Sequence, residues 1–206
     1  FDLCDEMGLV VWLDLMFACN VYELTDDLRE NIRLEAIENM LRVRDHACLG
    51  LVCGNNEMET AWCSWDDVSC HCDRLRQQYL EQFEDVLKKA VEQSAPQTFY
   101  WPSSPSSGGG FDDPNAENRG DVHYWEVWHG NQPFTAYRNF YFRFCSEFGF
   151  QSFPCQKTVD TFAHGRAQNI FSRVMENHQK NGSANGKILA YLCQTLRMPT
   201  SFGSML

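Results

Sequence analysis

With 206 residues, of which 44% are hydrophobic and 14% aromatic, the chain has the composition of a globular protein and not of a disordered one, and one domain is the expectation. Its 28 acidic and 17 basic side chains leave a formal charge of −11, which argues against a nucleic-acid backbone or an anionic membrane as partner, because both reward Lys and Arg. No run approaches the roughly 18 apolar residues of a membrane span, and no basic-then-apolar secretory segment opens the chain.

The first residues, FDLCDEMG, read as the end of a helix, and the chain as a piece of a longer one. Leu9 to Phe17, LVVWLDLMF, is an apolar run broken by Asp14, the pattern of a strand covered on both faces as in a parallel sheet. Thr25 to about Arg44 follows as a helix, with Thr25 or Asp26 as its cap and Leu28, Ile32, Leu34, Ile37 and Leu41 near helical spacing. A second apolar run, Cys48 to Cys53, ends in Gly54-Asn55-Asn56-Glu57. Residues 72 to 94 read as one amphipathic helix, and Thr98 to Trp101 as a brief strand stopped by Pro102. The Pro-, Ser- and Gly-rich stretch 102 to 120 reads as a long loop over a site in preference to a linker, because Asp121 to Trp128, DVHYWEVW, resumes a strand-like register at once. Phe142 to Pro154 gives a fifth strand, and the remainder reads as helices at 158–164, 167–179 and 186–196.

Ten Cys lie partly inside apolar runs, which suits small buried hydrophobes in a reducing, cytoplasmic compartment. Cys70-His71-Cys72, with Cys63 upstream, is the cluster with metal-like chemistry, yet no second ligand pair follows at a zinc-site distance, so neither metal nor other cofactor is expected.

Five short strands, with helical segments after the first, second and fifth, spell an α/β fold of parallel βα units. In a (β/α)8 TIM barrel the chemistry sits at the carboxyl ends of the strands, where Asp14, Glu57, Ser103, Trp128 and Glu147 would lie; five strands make a partial barrel, with about three outside this chain. Glu147 stands among Phe142, Phe144, Phe148 and Phe150, where a carboxylate needs a partner such as Arg143 or a catalytic reason. Two carboxylates ninety positions apart at two strand ends can face each other, as glycoside hydrolysis requires.

CGNNE at 53–57, YWPSSPSS at 100–107, GDVHYWEVWHG at 120–130 and SEFGFQSFP at 146–154, in that order, resemble the β-mannosidases of glycoside hydrolase family 2, and VWLDLMFAC at 11–19 resembles that family's strand before the acid/base strand. The likeness runs from about the third to the seventh barrel strand and makes residues 1–206 a fragment of the catalytic barrel, without the amino-terminal sandwich domains, the first strands and the last strand. It implies a retaining exo-glycosidase that removes terminal β-linked mannose, with Glu57 as acid/base and Glu147 as nucleophile. Asn56 matches the residue that hydrogen-bonds the sugar 2-hydroxyl. Trp65 is a sugar-stacking aromatic or a core residue. Tyr124 and His123 are candidates to orient the nucleophile, although strand alternation points one of them inward. Trp128 and His129 would line the pocket, and Asp14 would bind a hydroxyl or satisfy neighbouring backbone. Ala47 after His46, and Met58 after Glu57, depart from the family pattern. Other readings remain: a β-galactosidase, β-glucuronidase or exo-β-glucosaminidase of the same family, or an inactive fragment. The expected partners are a glycoside with terminal β-mannose and the rest of the barrel and its accessory domains.

Overall fold

The computed structural model describes residues 1–201 and 203. They gather into two compact units, one comprising residues 1–123 and 140–147, the other residues 124–139 and 148–206.

The first unit is built on a parallel three-stranded sheet in the order β1 (Val11–Asp14), β2 (Leu49–Cys53), β3 (Phe99–Trp101). Asp14, Cys53 and Trp101 stand in register at the carboxyl edge. Two isolated parallel bridges, Ala18 to Asn56 and Asn56 to Ser104, continue that register beyond the sheet. A side chain placed just after either bridge is therefore fixed by backbone pairing on both sides. Gly54 is needed at this edge, since a Cβ there would come within 2.4 Å of both the Pro102 carbonyl oxygen and the Tyr100 hydroxyl.

Helix α1 (Asp2–Met7) ends on left-handed Gly8, as the opening residues suggest. Helix α2 (Asp26–Val43) begins at Thr25, whose hydroxyl accepts the Leu28 amide at 3.2 Å. Its buried face is Ile32, Ala36, Met40 and Val43, whereas Leu34 and Leu41 are exposed, so the stripe is rotated from the one the leucines suggest. After β2 come α3 (Met58–Ser64), α4 (Asp66–Ser69) and α5 (Asp73–Leu80). The single helix expected over 72–94 is interrupted: Glu81–Val86 forms a wider π-type turn before α6 (Leu87–Ser94). The Phe83 carbonyl in that turn accepts a 2.6 Å hydrogen bond from the Tyr100 hydroxyl. Met40, Val52, Phe83, Leu87 and Val91 form the centre of the core, each side chain stabilising the fold by about 1.5–3 kcal/mol through burial.

Strands β4 (Val122–Tyr124) and β5 (Cys145–Phe148) form a second, two-stranded sheet. Both are shorter than the sequence patterns suggest. After Tyr124 the chain turns, and Phe144 and Phe148 are exposed. Glu147 therefore does not sit inside a buried aromatic strand; it is half-buried, and His123 lies 3.4 Å from its carboxylate.

The second unit holds α7 (Gln156–Val159), α8 (Arg173–His178) and α9 (Ala184–Thr195), shorter or shifted relative to the expected helices. Trp128, Ala184 and Ile188 form one cluster there, with Phe150 and Leu192 against it; Val159, Ala163 and Met175 form another. The Tyr191 hydroxyl reaches the carbonyl oxygens of Val127 and Gln132. Among the described residues, no helix is long and apolar enough to cross a membrane. All ten cysteines are free thiols; Cys48 and Cys53 are buried as expected of small hydrophobes, but Cys19, Cys63, Cys70, Cys72, Cys155 and Cys193 are exposed.

Candidate active site

Within the first unit the backbone pairing at the end of β2 dictates where Glu57 stands. Its amide donates to the Ser104 carbonyl at 2.7 Å, and its φ of 60° is left-handed, a strained conformation for a residue with a Cβ. Asn55 holds this geometry from below. It is fully buried, its amide group donates to the Pro102 carbonyl at 3.0 Å and the Tyr79 hydroxyl at 3.3 Å, and its Oδ1 accepts from the Met58 amide at 3.1 Å and the Ser103 hydroxyl at 2.8 Å. Such a filled set of partners makes Asn55 the residue that locks the turn carrying Glu57. Asn56 pairs through its backbone with Phe17 and Cys19, and its amide side chain lies 3.8 Å from the Cys19 sulfur.

His123, buried on β4, joins the two glutamates. Its Nδ1 lies 2.9 Å from Glu57 Oε1 and 3.4 Å from Glu147 Oε2, and its Nε2 lies 2.9 Å from the Ser104 hydroxyl. Ligand atoms of Glu57, His123 and Glu147 all fall within 4.8 Å of one another, the one group of this kind among the described residues. Cys63, Cys70, His71 and Cys72 form no such group among those residues.

Behind His123 is buried Asp121. Its Oδ1 accepts from the Trp101 indole at 2.8 Å and the Ser106 amide at 3.0 Å, and its Oδ2 accepts from Ser104 Oγ at 2.7 Å and Ser146 Oγ at 2.6 Å. Because Ser104 gives its only proton to Asp121, its oxygen is left to accept Nε2–H of His123. With Nε2 directed at Ser104, Nδ1 is the ring nitrogen that faces the two carboxylates.

The Cys19 thiol donates to Glu57 Oε2 at 3.5 Å, and burial, followed by the negative charge of Glu57, raises its pKa. Trp12 and Asp14 do share one face of β1. The Trp12 indole donates to Asp14 Oδ1 at 2.7 Å and stacks on Phe144. Desolvation raises the Asp14 pKa, with the Trp12 hydrogen bond opposing it. Trp12, Asp14, Ser104, Phe144, Ser146 and Glu147 line a cavity of about 460 Å³. Glu59, buried two residues after Glu57, accepts the Phe111 amide at 2.9 Å, and burial raises its pKa too.

Of the residues expected at a pocket, the first unit thus brings together Glu57, Glu147, Asn56 and Asp14. Trp65 is half-buried and packs against the apolar core. Tyr124, Trp128 and His129 belong to the other unit. There Tyr124 is buried and meets Tyr137 edge-on, Trp128 is buried beneath the Lys187 ammonium, and His129 is exposed. Trp128 packs with Ala184 and Ile188 in an apolar cluster. His123, one of the two candidates to orient the nucleophile, meets both carboxylates. Cys19, Ser104, Asp121 and Ser146 are not singled out by local pattern, because their partners lie 17 to 42 positions away, although all four fall inside the motifs that carry the family resemblance.

No family model matches the chain. Among curated proteins, it is 35% identical to β-mannosidase B of Aspergillus clavatus and 34% identical to that of Neosartorya fischeri, in each case over 97% of its own length and 24% of the relative's. The crystal structure of a β-D-mannosidase from Dictyoglomus thermophilum superposes with a TM-score of 0.89 at 32% identity, covering 99% of this chain and 24% of that one. The chain is homologous to part of these β-mannosidases. It spans about a quarter of the length of the relatives it matches, and that quarter contains the Glu57–His123–Glu147 cluster.

Proposed function

We propose that the chain carries the catalytic pair of a retaining exo-glycosidase that removes terminal β-linked mannose, within the third to seventh strands of a (β/α)8 barrel of glycoside hydrolase family 2. The observation that carries this reading is the approach of the Glu57 and Glu147 oxygens to within 4.8 Å across His123. Carboxyl groups about 5–5.5 Å apart leave room for a sugar carbon and no intervening water, as double displacement demands; an inverting pair stands roughly 6.5–9.5 Å apart. The β-mannosidase relatives support mannose as the sugar and a glycoside with terminal β-mannose as substrate.

Glu147 attacks the anomeric carbon from the side of the 460 Å³ cavity while Glu57 passes a proton to the departing oxygen. Water then enters on the leaving-group side, Glu57 accepts its proton, and the sugar is released from Glu147. His123 holds the two carboxylates at a fixed separation and offers Nδ1 to whichever bears more charge at each step. Asn56 and Asp14 stand close enough to this centre to meet sugar hydroxyls. The free thiols fit a reducing compartment such as the cytoplasm.

In the full-length protein, Glu147→Gln should lower turnover of aryl β-mannosides on the order of 10⁴-fold or more, measured by released phenolate; a rate near that of the unaltered protein would end the assignment. A panel of aryl β-galactosides, β-glucuronides and β-glucosaminides measures the sugar preference.

A second reading has its own observation: the same three side chains present ligand atoms spaced to hold a divalent cation. The oriented ring of His123 suits either role. The proposed mechanism expects turnover that survives dialysis against a chelator and a protein that purifies without stoichiometric metal; metal at one equivalent, with activity lost on its removal, would favour the second reading.

A further inference from the structure

Glu59 is a buried acid that the proposed mechanism leaves unused. Its side chain is fully enclosed, and Oε2 has no hydrogen-bond partner among the described residues. Oε1 accepts the Phe111 amide at 2.9 Å, and the Glu59 amide donates to the Ser103 hydroxyl at 3.4 Å, so the residue ties the start of α3 to both ends of the stretch 103–111. A charged carboxyl with one bare oxygen is costly in such a place. Burial raises its pKa; hydrogen bonds with Ser106 and Phe111 oppose the rise, and the negative charges of Glu84 and Asp121 add to it.

The stretch that Glu59 holds needs anchors. Gly108, Gly109 and Gly110 follow one another with φ of 122°, 99° and 71°, a run in which the chain has its greatest conformational freedom. Side chains gather the amides of this run. Ser106 Oγ accepts those of Gly108 and Gly109, each at 3.0 Å, Glu84 Oε1 accepts that of Gly110 at 2.6 Å, and Glu59 accepts that of Phe111. The Phe111 ring packs on Tyr79, with 5.0 Å between centroids, and the Arg76 guanidinium lies 4.1 Å from its centre.

Two routes lead from this loop to His123. Ser106 is bonded twice to Asp121, its amide donating to Oδ1 at 3.0 Å and its carbonyl accepting the Asp121 amide at 3.2 Å. Asp121 in turn takes the Ser104 hydroxyl, whose oxygen lies 2.9 Å from His123 Nε2. Further along the loop, Asn115 Oδ1 accepts the His123 amide at 2.7 Å.

We infer that Glu59 is a positioning residue of the catalytic centre: by anchoring residues 103–111 to α3 it fixes Ser104 and Asp121, and through them the His123 ring beside the two glutamates. Its effect on rate rests on the glycosidase reading. Glu59 has no exposed surface with which to meet a substrate, so that effect passes through the loop.

Three variants of the full-length protein test this. Glu59→Leu has a similar volume and takes the acceptor away from the Phe111 amide. Glu59→Gln keeps the shape and an acceptor without a charge, as suits a site where burial favours the neutral acid. Well below each melting midpoint, kcat for an aryl β-mannoside should fall roughly tenfold in Glu59→Leu with KM unchanged, and Glu59→Gln should recover most of that loss. Ser106→Ala removes the hydroxyl that gathers the glycine amides; it should lower kcat several-fold with KM unchanged, and it decides the matter should Glu59→Leu not fold. Hydrogen exchange followed by mass spectrometry needs no turnover: peptides spanning 103–123 should lose protection in Glu59→Leu and Ser106→Ala and keep it in Glu59→Gln. Unaltered kcat in the folded variants, with only a lower melting midpoint, would make the role purely structural and overturn the inference. Equal losses in Glu59→Leu and Glu59→Gln, or unchanged exchange over 103–123, would overturn it too. The expected exchange pattern in a protein that hydrolyses no glycoside would retain the hold of Glu59 on the loop and remove the glycosidase reading above it.

Discussion

Glu57 owes its position to three residues of different kinds: Asn55, which fills all its hydrogen-bonding capacity on neighbouring backbone and hydroxyls; Ser104, whose carbonyl takes the Glu57 amide; and His123, whose ring reaches its carboxylate. The left-handed backbone at Glu57 costs on the order of 1–3 kcal/mol, and these contacts offset it. Asp121 acts one step further back. By taking the protons of Ser104 and Ser146 it orients the imidazole without touching either glutamate. If His123 works by holding the carboxylates through Nδ1, His123→Ala should lower kcat roughly 10²-fold with little change in KM. His123→Asn, which returns an N–H near the Nδ1 position, should recover part of the loss. Identical rates for the two variants, at comparable melting temperatures, would mean that the ring serves packing alone.

At the scale of elements, the site depends on a register: Asp14, Cys53 and Trp101 end the parallel sheet together, and the bridges through Asn56 carry that alignment to Glu57. Much of this is legible in the sequence. The second apolar run, the Thr25 cap and the Asn-Asn-Glu strand end follow from local pattern and are found where the pattern puts them, whereas the first run shortens to Val11–Asp14, with Leu9, Val10 and Met16 exposed where a strand covered on both faces is expected. What escapes local reading is set by distant partners. The π-type turn at Glu81–Val86 is accompanied by a hydroxyl from Tyr100, and the α2 stripe turns toward Met40 and away from Leu34 and Leu41. The aromatics of Phe142–Pro154 alternate as a buried strand would, yet Phe144 stacks on Trp12 at an exposed face. Helix α1 is joined to the sheet by Asp5, which accepts from His46 Nδ1 and from the Cys48 amide, both at 2.7 Å. The His46 hydrogen bond, with those from Cys48, lowers the Asp5 pKa from 3.8 to about 2. A carboxyl whose pKa is depressed by folding adds stability that is complete above its unfolded value and is lost as pH falls toward its folded one. Between pH 3.8 and about 2, therefore, the unaltered protein should lose stability more steeply than Asp5→Asn, as followed by denaturant melts across that window. Parallel curves would show that Asp5 stays equally charged in both states.

Across the whole molecule, the charge of −11, the pair of compact units and the quarter-length match to β-mannosidases point the same way. An acidic protein with a buried imidazole between two carboxylates is suited to a neutral sugar, and Glu57, His123 and Glu147 all lie in the first unit. The central claim is that Glu57 and Glu147 act by double displacement, and the configuration of the first-formed sugar reports on it directly. Proton NMR of the full-length protein turning over an aryl β-mannoside, read before mutarotation, should show β-mannose as the initial product. Initial α-mannose would mean a single displacement by water and would contradict the roles assigned to the two glutamates.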